Sequence, residues 1–159
     1  MNGDARMEEN RFLTLLRSFQ AGIDLTQNPA AEEPGIAALA YLGDSVYELW
    51  VRLGLVTGRT RTAGVSLHRG AVQKVCAESQ AATLRRLEPE LTETERDLVR
   101  RARNAKVGVV PRNGQPVQYR LATAFEALIG YLFWHGELER LVQILFYTEK
   151  DDTRAEDNS

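Results

Sequence analysis

Cysteine, histidine and long hydrophobic runs are scarce in this sequence of 159 residues. The single cysteine, Cys76, has no partner for an intramolecular disulfide, and no Cys/His cluster has the spacing of zinc ligands. No segment approaches the roughly 18 apolar residues that a membrane-spanning helix requires. We therefore expect a protein without disulfides, structural zinc or membrane spans.

The first residues also lack the features of a targeting segment. Residues 1–10 contain acids where a signal or transit peptide has basic, apolar or arginine-rich residues. A lone cysteine is typical of proteins from a reducing compartment. We therefore expect the protein to be cytoplasmic.

A strong excess of either charge is missing too, because the net charge is only −2. The charges are unevenly placed, however. Residues 1–33 hold six acids and three bases, and residues 149–159 hold five acids and two bases. Residues 34–148 hold fifteen bases and eleven acids, a net charge of +4. The central part can therefore attract a polyanion such as nucleic acid although the whole chain is slightly acidic.

Strand patterns are rare, because apolar residues recur at three- and four-residue spacing along most of the chain. The spacing predicts an all-α protein. Helices are predicted over about residues 8–19, 36–55, 66–87, 92–104, 119–135 and 137–148. Thr92 and Glu95 form a capping-box pattern at the start of the fourth helix. Proline and glycine residues predict a linker over residues 24–34 and a loop over residues 107–118.

The length fits one compact domain with a hydrophobic core. We predict an acidic N-terminal segment with a short amphipathic helix over residues 1–35. The main domain is predicted over residues 36–148. Residues 149–159 are predicted to be a disordered acidic tail.

Two acids lie on helices that are otherwise almost entirely apolar. Asp44 and Glu48 are the only charged residues in residues 36–51, and Glu126 is the only one in residues 121–134. A buried carboxylate costs several kcal/mol unless it is paired with a base or bound to a metal. Neither helix supplies a base. A hard divalent cation, Mg²⁺ or Mn²⁺, would neutralise the two carboxylates.

A structural interpretation of the same acids stays open at this point. Gly43 and Asp44 also fit the start of a helix, and Glu126 can pair with an arginine elsewhere in the fold. Lone acids on apolar helices are more often structural than catalytic. Spacing alone therefore does not decide between the two interpretations.

Each of the two acids is flanked by a stretch that contains bases but no acid. One stretch covers residues 49–77 and the other covers residues 98–125. A phosphodiester substrate beside a metal site needs such cations, because phosphate contacts supply most of the sequence-independent affinity for nucleic acid. A solvated helix face is the alternative explanation of either stretch taken alone.

Other conspicuous side chains receive structural predictions. Cys76 is predicted to pack in the core, and His68 is predicted to lie on the surface or to contact phosphate. The aromatic residues of the apolar segments are predicted to lie in the core or at a subunit interface; they are Tyr41, Tyr47, Trp50, Phe125, Tyr131, Phe133 and Trp134.

Residues 39–46, LAYLGDSV, and residues 125–130, FEALIG, resemble the two signature helices of the ribonuclease III catalytic domain. Within that superfamily the sequence is most similar to the Mini-ribonuclease III subfamily. Further similarity in order and spacing lies in residues 103–106, RNAK, residues 111–113, PRN, and residues 119–126, YRLATAFE. The resemblance covers about residues 36–148.

This resemblance implies an all-helical homodimer that hydrolyses double-stranded RNA with magnesium and matures large-subunit ribosomal RNA precursors. It assigns Asp44 and Glu126 to the two indispensable metal-binding acids. The subfamily lacks a separate double-stranded-RNA-binding domain, which agrees with the length of the chain. Larger members of the family carry further acids where this chain has Ala37, Ala40 and Thr123, so coordination by water and RNA phosphate is implied.

Five bases from the acid-free stretches are candidates for contacts with RNA phosphate: Lys74, Arg103, Lys106, Arg112 and Arg120. A non-catalytic double-stranded-RNA-binding or ribosome-assembly factor is the alternative function, and loss of Asp44 or Glu126 would have favoured it. A helical protein-interaction module is a third possibility. It predicts that the two carboxylates are paired with arginines.

Overall fold

The computed structural model describes residues 3–22, 34–58, 66–105 and 115–149, with side chains from residue 11 onward. These ranges form helices without strands, so the predicted all-α class is confirmed. A short 3-10 helix, Glu88–Glu90, separates the fourth helix from the fifth. The α-helices are α1 Gly3–Gly22, α2 Ile36–Val56, α3 Leu67–Val75, α4 Ala77–Leu87, α5 Glu93–Asn104, α6 Pro116–Trp134 and α7 Leu138–Glu149.

Helix α6 is the centre of the fold, with α2, α4, α5 and α7 packed around it. Eleven of its nineteen residues are buried. A helix that is apolar on all sides is stable only when other elements cover it. A charged side chain on α6 therefore lies close to other helices rather than on an open surface.

Helices α2 and α6 approach each other most closely at Gly43 and Gly130. A Cβ atom added to Gly43 would lie 1.8 Å from the backbone oxygen of Glu126, and one added to Gly130 would lie 1.9 Å from the backbone oxygen of Leu39. Only residues without a side chain allow the two backbones to come this close. This crossing fixes the place of Asp44, the residue after Gly43, relative to Glu126.

Helix α1 packs on the same core as the later helices. The rings of Phe12 and Trp50 meet edge to face with centroids 4.8 Å apart, and Trp50 makes the same contact with Phe146 on α7 at 4.8 Å. Arg17 forms an ion pair with Glu139 at the start of α7. The helix predicted over residues 8–19 is therefore present within a longer helix.

The single helix predicted over residues 66–87 is wrong. Cys76 has an extended backbone, with ψ of 152°, and separates α3 from α4. The side chain of Ser79 bridges the break by donating a hydrogen bond to the backbone oxygen of Gln73 at 2.7 Å. Cys76 is also exposed, so its predicted place in the core is wrong. The apolar spacing continues on both sides of the break and therefore gave no sign of it.

The boundaries of the later helices agree better with the sequence. Thr92 and Glu95 form the predicted capping box, with nitrogen-to-oxygen distances of 2.8 and 3.2 Å. The loop predicted over residues 107–118 ends too late, because α6 already begins at Pro116. Proline suits the first turn of a helix, where its fixed φ is favourable and no N–H is needed. None of the helices in the described ranges is long and apolar enough to cross a membrane.

Candidate active site

Asp44 and Glu126 come together where α2 crosses α6. Asp44 lies in the middle of α2, so the interpretation that it starts a helix is wrong. Glu126 is the residue whose backbone oxygen faces Gly43 across the crossing. The charge of Asp44 acts directly on the Glu126 carboxyl. The two acids singled out in the sequence thus share one site in the structure.

Both carboxyls resist ionisation. Burial raises the pKa of Glu126 to about 7, and the negative charge of Asp44 adds to the increase. Burial also raises the pKa of Asp44, with a further contribution from Glu48. Reduced access to water and nearby negative charge are therefore the two causes at each position. A bound cation counteracts the repulsion and makes the ionised forms favourable.

No lysine or arginine in the described ranges forms an ion pair with Asp44 or Glu126. Glu48, the next acid along α2, is paired with Arg52 at 2.7 Å between Nη2 and Oε2. Arg52, the base nearest to Asp44 along α2, is thus paired with Glu48 and not with Asp44 or Glu126. The arginine partner that the structural interpretation required for Glu126 is not found among the described residues.

The oxygen donors of this site fit a hard divalent cation. Mg²⁺ is usually held by one or two carboxylates and keeps several waters. The described residues contain no cluster of three or more acidic, histidine or cysteine side chains suited to a metal. At the crossing of α2 and α6, the carboxylates of Asp44 and Glu126 could hold such an ion. A site with so few protein ligands leaves coordination positions for water and phosphate.

One polar side chain of the site was missed by the sequence analysis. Gln80 on α4 is only 1% exposed. Its amide lies against the Glu126 carboxyl and partly offsets the increase in the Glu126 pKa. The signal in the sequence is that Gln80 shares the buried face of α4 with Leu84 and Leu87, a mainly apolar face on which Thr83 is the other polar residue.

The five predicted phosphate contacts are only partly described. Arg120 is exposed on α6, and Arg103 is exposed in the last turn of α5, where its Nη1 lies 3.4 Å from Glu88 Oε1. Lys74 is half-buried near the end of α3. Lys106 and Arg112 lie outside the described residues. No contact between the three described bases and Asp44 or Glu126 is seen, and the role of all five stays a prediction.

The aromatic side chains divide between core and surface. Tyr47, Trp50, Phe125 and Phe133 are buried, as predicted. Tyr41 is 81% exposed. Tyr41 lies one helical turn before Asp44, on the outer side of α2. It is therefore not in the core, and its predicted place at a subunit interface is untested.

Residues 37–137 match the protein family described as the Ribonuclease III domain. The chain belongs to the ribonuclease III family. A curated relative from Symbiobacterium thermophilum named Mini-ribonuclease 3 is 47% identical over 119 residues, which are 74% of this chain and 88% of the relative. Another of the same name, from Gloeobacter violaceus, is 51% identical over 110 residues, 69% of this chain and 78% of the relative. The predicted resemblance to the Mini-ribonuclease III subfamily is confirmed.

A solved structure supports the fold assignment. The crystal structure of a protein from Fusobacterium nucleatum matches with a TM-score of 0.61 and 27% identity, over 72% of this chain and 90% of the other. Family membership makes the chain an endoribonuclease, and metal dependence is general in this family. The crossing of α2 and α6 lies within the residues that the family match covers.

Proposed function

We propose that this chain cleaves double-stranded RNA at a magnesium site held by Asp44 and Glu126, with manganese as a possible substitute. The observation that carries the proposal is the meeting of two carboxylates, both with raised pKa, at a backbone crossing where no described base neutralises them. Such a pair is unfavourable in the free protein and becomes favourable when a cation binds.

The two carboxylates of the site lie on different helices and are both partly buried. Each therefore keeps some access to solvent, from which an ion and an RNA phosphate can reach them. The glycine crossing holds both carboxylates on rigid helices, which limits their movement during the reaction. When bound, the ion supplies an activated water and stabilises charge on the phosphoryl oxygens. The expected products carry 5′-phosphate and 3′-hydroxyl ends.

We propose that the RNA is recognised by its A-form shape and its backbone, with little reading of bases. Arg120, Arg103 and Lys74 are the described candidates for phosphate contacts, together with Lys106 and Arg112 outside the described ranges. The precursor of large-subunit ribosomal RNA is the proposed natural substrate, and the cytoplasm is the proposed location.

We also propose a homodimer. The outer side of α2 carries Tyr41, Leu49 and Val56, which are 81%, 43% and 71% exposed. These positions recur at intervals of seven and eight residues and so form one stripe on the helix. Leu67 and Val72 of α3 are 57% and 50% exposed. Val56 and Leu67 line one shallow pocket between α2 and α3. Exposed apolar side chains in such numbers support a protein interface, and sedimentation of the purified protein tests whether two copies associate.

Cleavage of a long duplex RNA tests the assignment of the site. The wild type should cut the duplex with Mg²⁺ or Mn²⁺ and not with EDTA, and Asp44→Asn should leave the duplex intact while still binding it. Glu48→Gln is the matched control, because it removes an acid one turn away that is already paired with Arg52. It should retain cleavage within about threefold, since exposed ion pairs contribute little.

The same experiment separates the alternative function. A non-catalytic double-stranded-RNA-binding or ribosome-assembly factor would bind the duplex with or without metal and would never cut it. Equal cleavage by Asp44→Asn and the wild type would contradict the proposed site, and the absence of cleavage by the wild type on any duplex would contradict the proposed activity.

A further inference from the structure

Gln80 carries an unusual polar group in the interior of the protein. Its side-chain nitrogen Nε2 is buried and has no hydrogen-bond partner among the described residues. The large majority of buried polar side-chain atoms in proteins do have a partner. A buried donor without one destabilises the fold, so its retention calls for an explanation beyond packing.

The surroundings of Gln80 indicate what the amide serves. Helix α4 packs directly on α6, and the Gln80 side chain is a neighbour of the Glu126 carboxyl. Gln80 is 1% exposed, and its Nε2 is the buried atom that lacks a partner among the described residues. An amide nitrogen can only donate a hydrogen bond and a carboxylate oxygen accepts one. Nε2 is therefore the atom of Gln80 that is available to Glu126, although the hydrogen bond is not closed in this structure.

We propose that Gln80 is a positioning residue for Glu126: its Nε2 donates a hydrogen bond to one carboxylate oxygen when the divalent cation binds, which leaves the other oxygen for the ion. This inference rests on the proposed function of Asp44 and Glu126. Metal-binding carboxylates are commonly oriented by hydrogen bonds of this kind. The need for it is greater here, because few protein ligands share the task of fixing the ion.

The choice of a neutral amide follows from the charges of the site. A lysine at this position would neutralise Glu126 and compete with the cation. A glutamate would add a third negative charge and offer no donor at neutral pH. Glutamine orients the carboxylate and leaves its charge available.

Substitution of Gln80 by a side chain of similar size without polar atoms tests the proposal. Gln80→Leu should keep the melting temperature measured in EDTA, because Nε2 makes no hydrogen bond within the described ranges. Mn²⁺ binding without RNA, followed by the loss of the free-ion electron paramagnetic resonance signal, should weaken by roughly 10- to 100-fold. Cleavage at limiting metal should fall by a similar factor through kcat, with KM for the duplex unchanged.

Thr83→Val is the matched control, because Thr83 lies one turn further along the same buried face of α4 and is 5% exposed. It should bind Mn²⁺ like the wild type. Gln80→Met is a second isosteric variant in case Gln80→Leu folds poorly. Wild-type Mn²⁺ affinity in both Gln80 variants would overturn the positioning role.

Gln80→Glu distinguishes a donor from a metal ligand. The positioning role predicts slower cleavage, since the donor is lost and negative charge is added. Wild-type cleavage with Mn²⁺ affinity equal to or above that of the wild type would overturn the proposal in favour of direct coordination. If the wild type itself bound no Mn²⁺, the proposed function would fail. Metal binding by the wild type with unchanged Gln80 variants would contradict the role of Gln80 alone.

Discussion

Two glutamates, Glu95 and Glu126, lie among the packed helices of this protein in opposite surroundings. Glu95 on α5 is 3% exposed and is held by Arg140, whose Nε and Nη2 donate to its two oxygens at 2.8 and 2.9 Å. Although burial acts to raise the pKa of Glu95, the hydrogen bonds from Arg140 and Thr92 lower it. Glu126 on α6 faces the acid Asp44 and a neutral amide, and its pKa is raised to about 7.

We propose that the difference separates a structural acid, Glu95, from a functional one, Glu126. At Glu95 the protein supplies every partner, so the carboxylate closes a helix N-terminus and ties α5 to α7. At Glu126 the described neighbours are the acid Asp44 and the neutral amide of Gln80, so no described positive charge balances the carboxylates. Binding of a cation would supply that charge. The sequence left open an arginine partner for Glu126, but among the described residues it is Glu95 that has one. Four predictions test the difference between the two glutamates.

The largest expected effect is on catalysis at Glu126. Glu126→Gln removes a carboxylate oxygen that we propose binds the metal, with little change in size. It should lower cleavage of duplex RNA by at least about 1000-fold, which corresponds to about 4 kcal/mol. The rate is measured with saturating Mg²⁺, and circular dichroism checks the helical fold. Glu95→Gln is the matched control and should cleave normally per folded molecule. Similar losses of activity in Glu126→Gln and Glu95→Gln would contradict the proposed difference between the two glutamates.

The next effect concerns the crossing that places Glu126 beside Asp44. Gly43→Ala adds a Cβ atom at a point 1.8 Å from a backbone oxygen of α6, so the two helices must move apart. We expect a loss of stability of about 3 kcal/mol together with a loss of cleavage, measured by urea unfolding and by duplex hydrolysis. Gly35→Ala is the control, since a Cβ there meets no atom within 4 Å. Normal stability of Gly43→Ala would contradict the close approach.

The sequence was sufficient for some of these features and not for others. Acids on otherwise apolar helices drew attention to Asp44 and Glu126, because side-chain spacing along one helix determines which residues share its face. Spacing alone did not decide their role, which the family resemblance supplied. The capping box at Thr92 was also readable, since its two hydrogen bonds are local. These predictions depend on contacts within a few residues of sequence.

Features that depend on contacts between helices could not be predicted from the sequence. The pairing of Glu95 with Arg140 joins residues 45 positions apart, and the place of Gln80 beside Glu126 depends on the packing of α4 against α6. The break at Cys76 was hidden because the residues on both sides favour helix. Spacing identifies which face of a helix is buried but not which helix will cover it.

A smaller effect is expected on stability at Glu95. Glu95→Gln keeps the size of the side chain but removes the charge that Arg140 contacts, so we expect a loss of about 2 kcal/mol in the free energy of unfolding. Urea unfolding in EDTA measures the change. Glu126→Gln under the same conditions should be as stable as the wild type or more so, because it removes an uncompensated charge. A larger loss for Glu126→Gln than for Glu95→Gln would contradict the assignment of structural and functional roles.

The smallest effect is on the pH dependence of stability in EDTA. The pKa of Glu126 is raised from its ordinary value of 4.5 to about 7 in the folded protein. The folded state therefore holds this proton more tightly, so the resulting stability is complete below pH 4.5 and is lost as the pH rises through 7. Relative to Glu126→Gln, the wild type should lose about 1 to 2 kcal/mol between pH 5 and pH 8, after allowance for partial solvent access.

Thermal unfolding of both proteins at pH 5 and pH 8 measures this difference, and Asp44→Asn sharpens it. Removal of the Asp44 charge takes away the second cause of the raised pKa, so the pH-dependent loss should become smaller while burial still maintains part of it. Addition of Mg²⁺ at pH 8 should stabilise the wild type and not Glu126→Gln, because the ion binds the folded state through the ionised carboxylates. If the wild type and Glu126→Gln changed in parallel with pH, Glu126 would not be the uncompensated acid that distinguishes this site from Glu95.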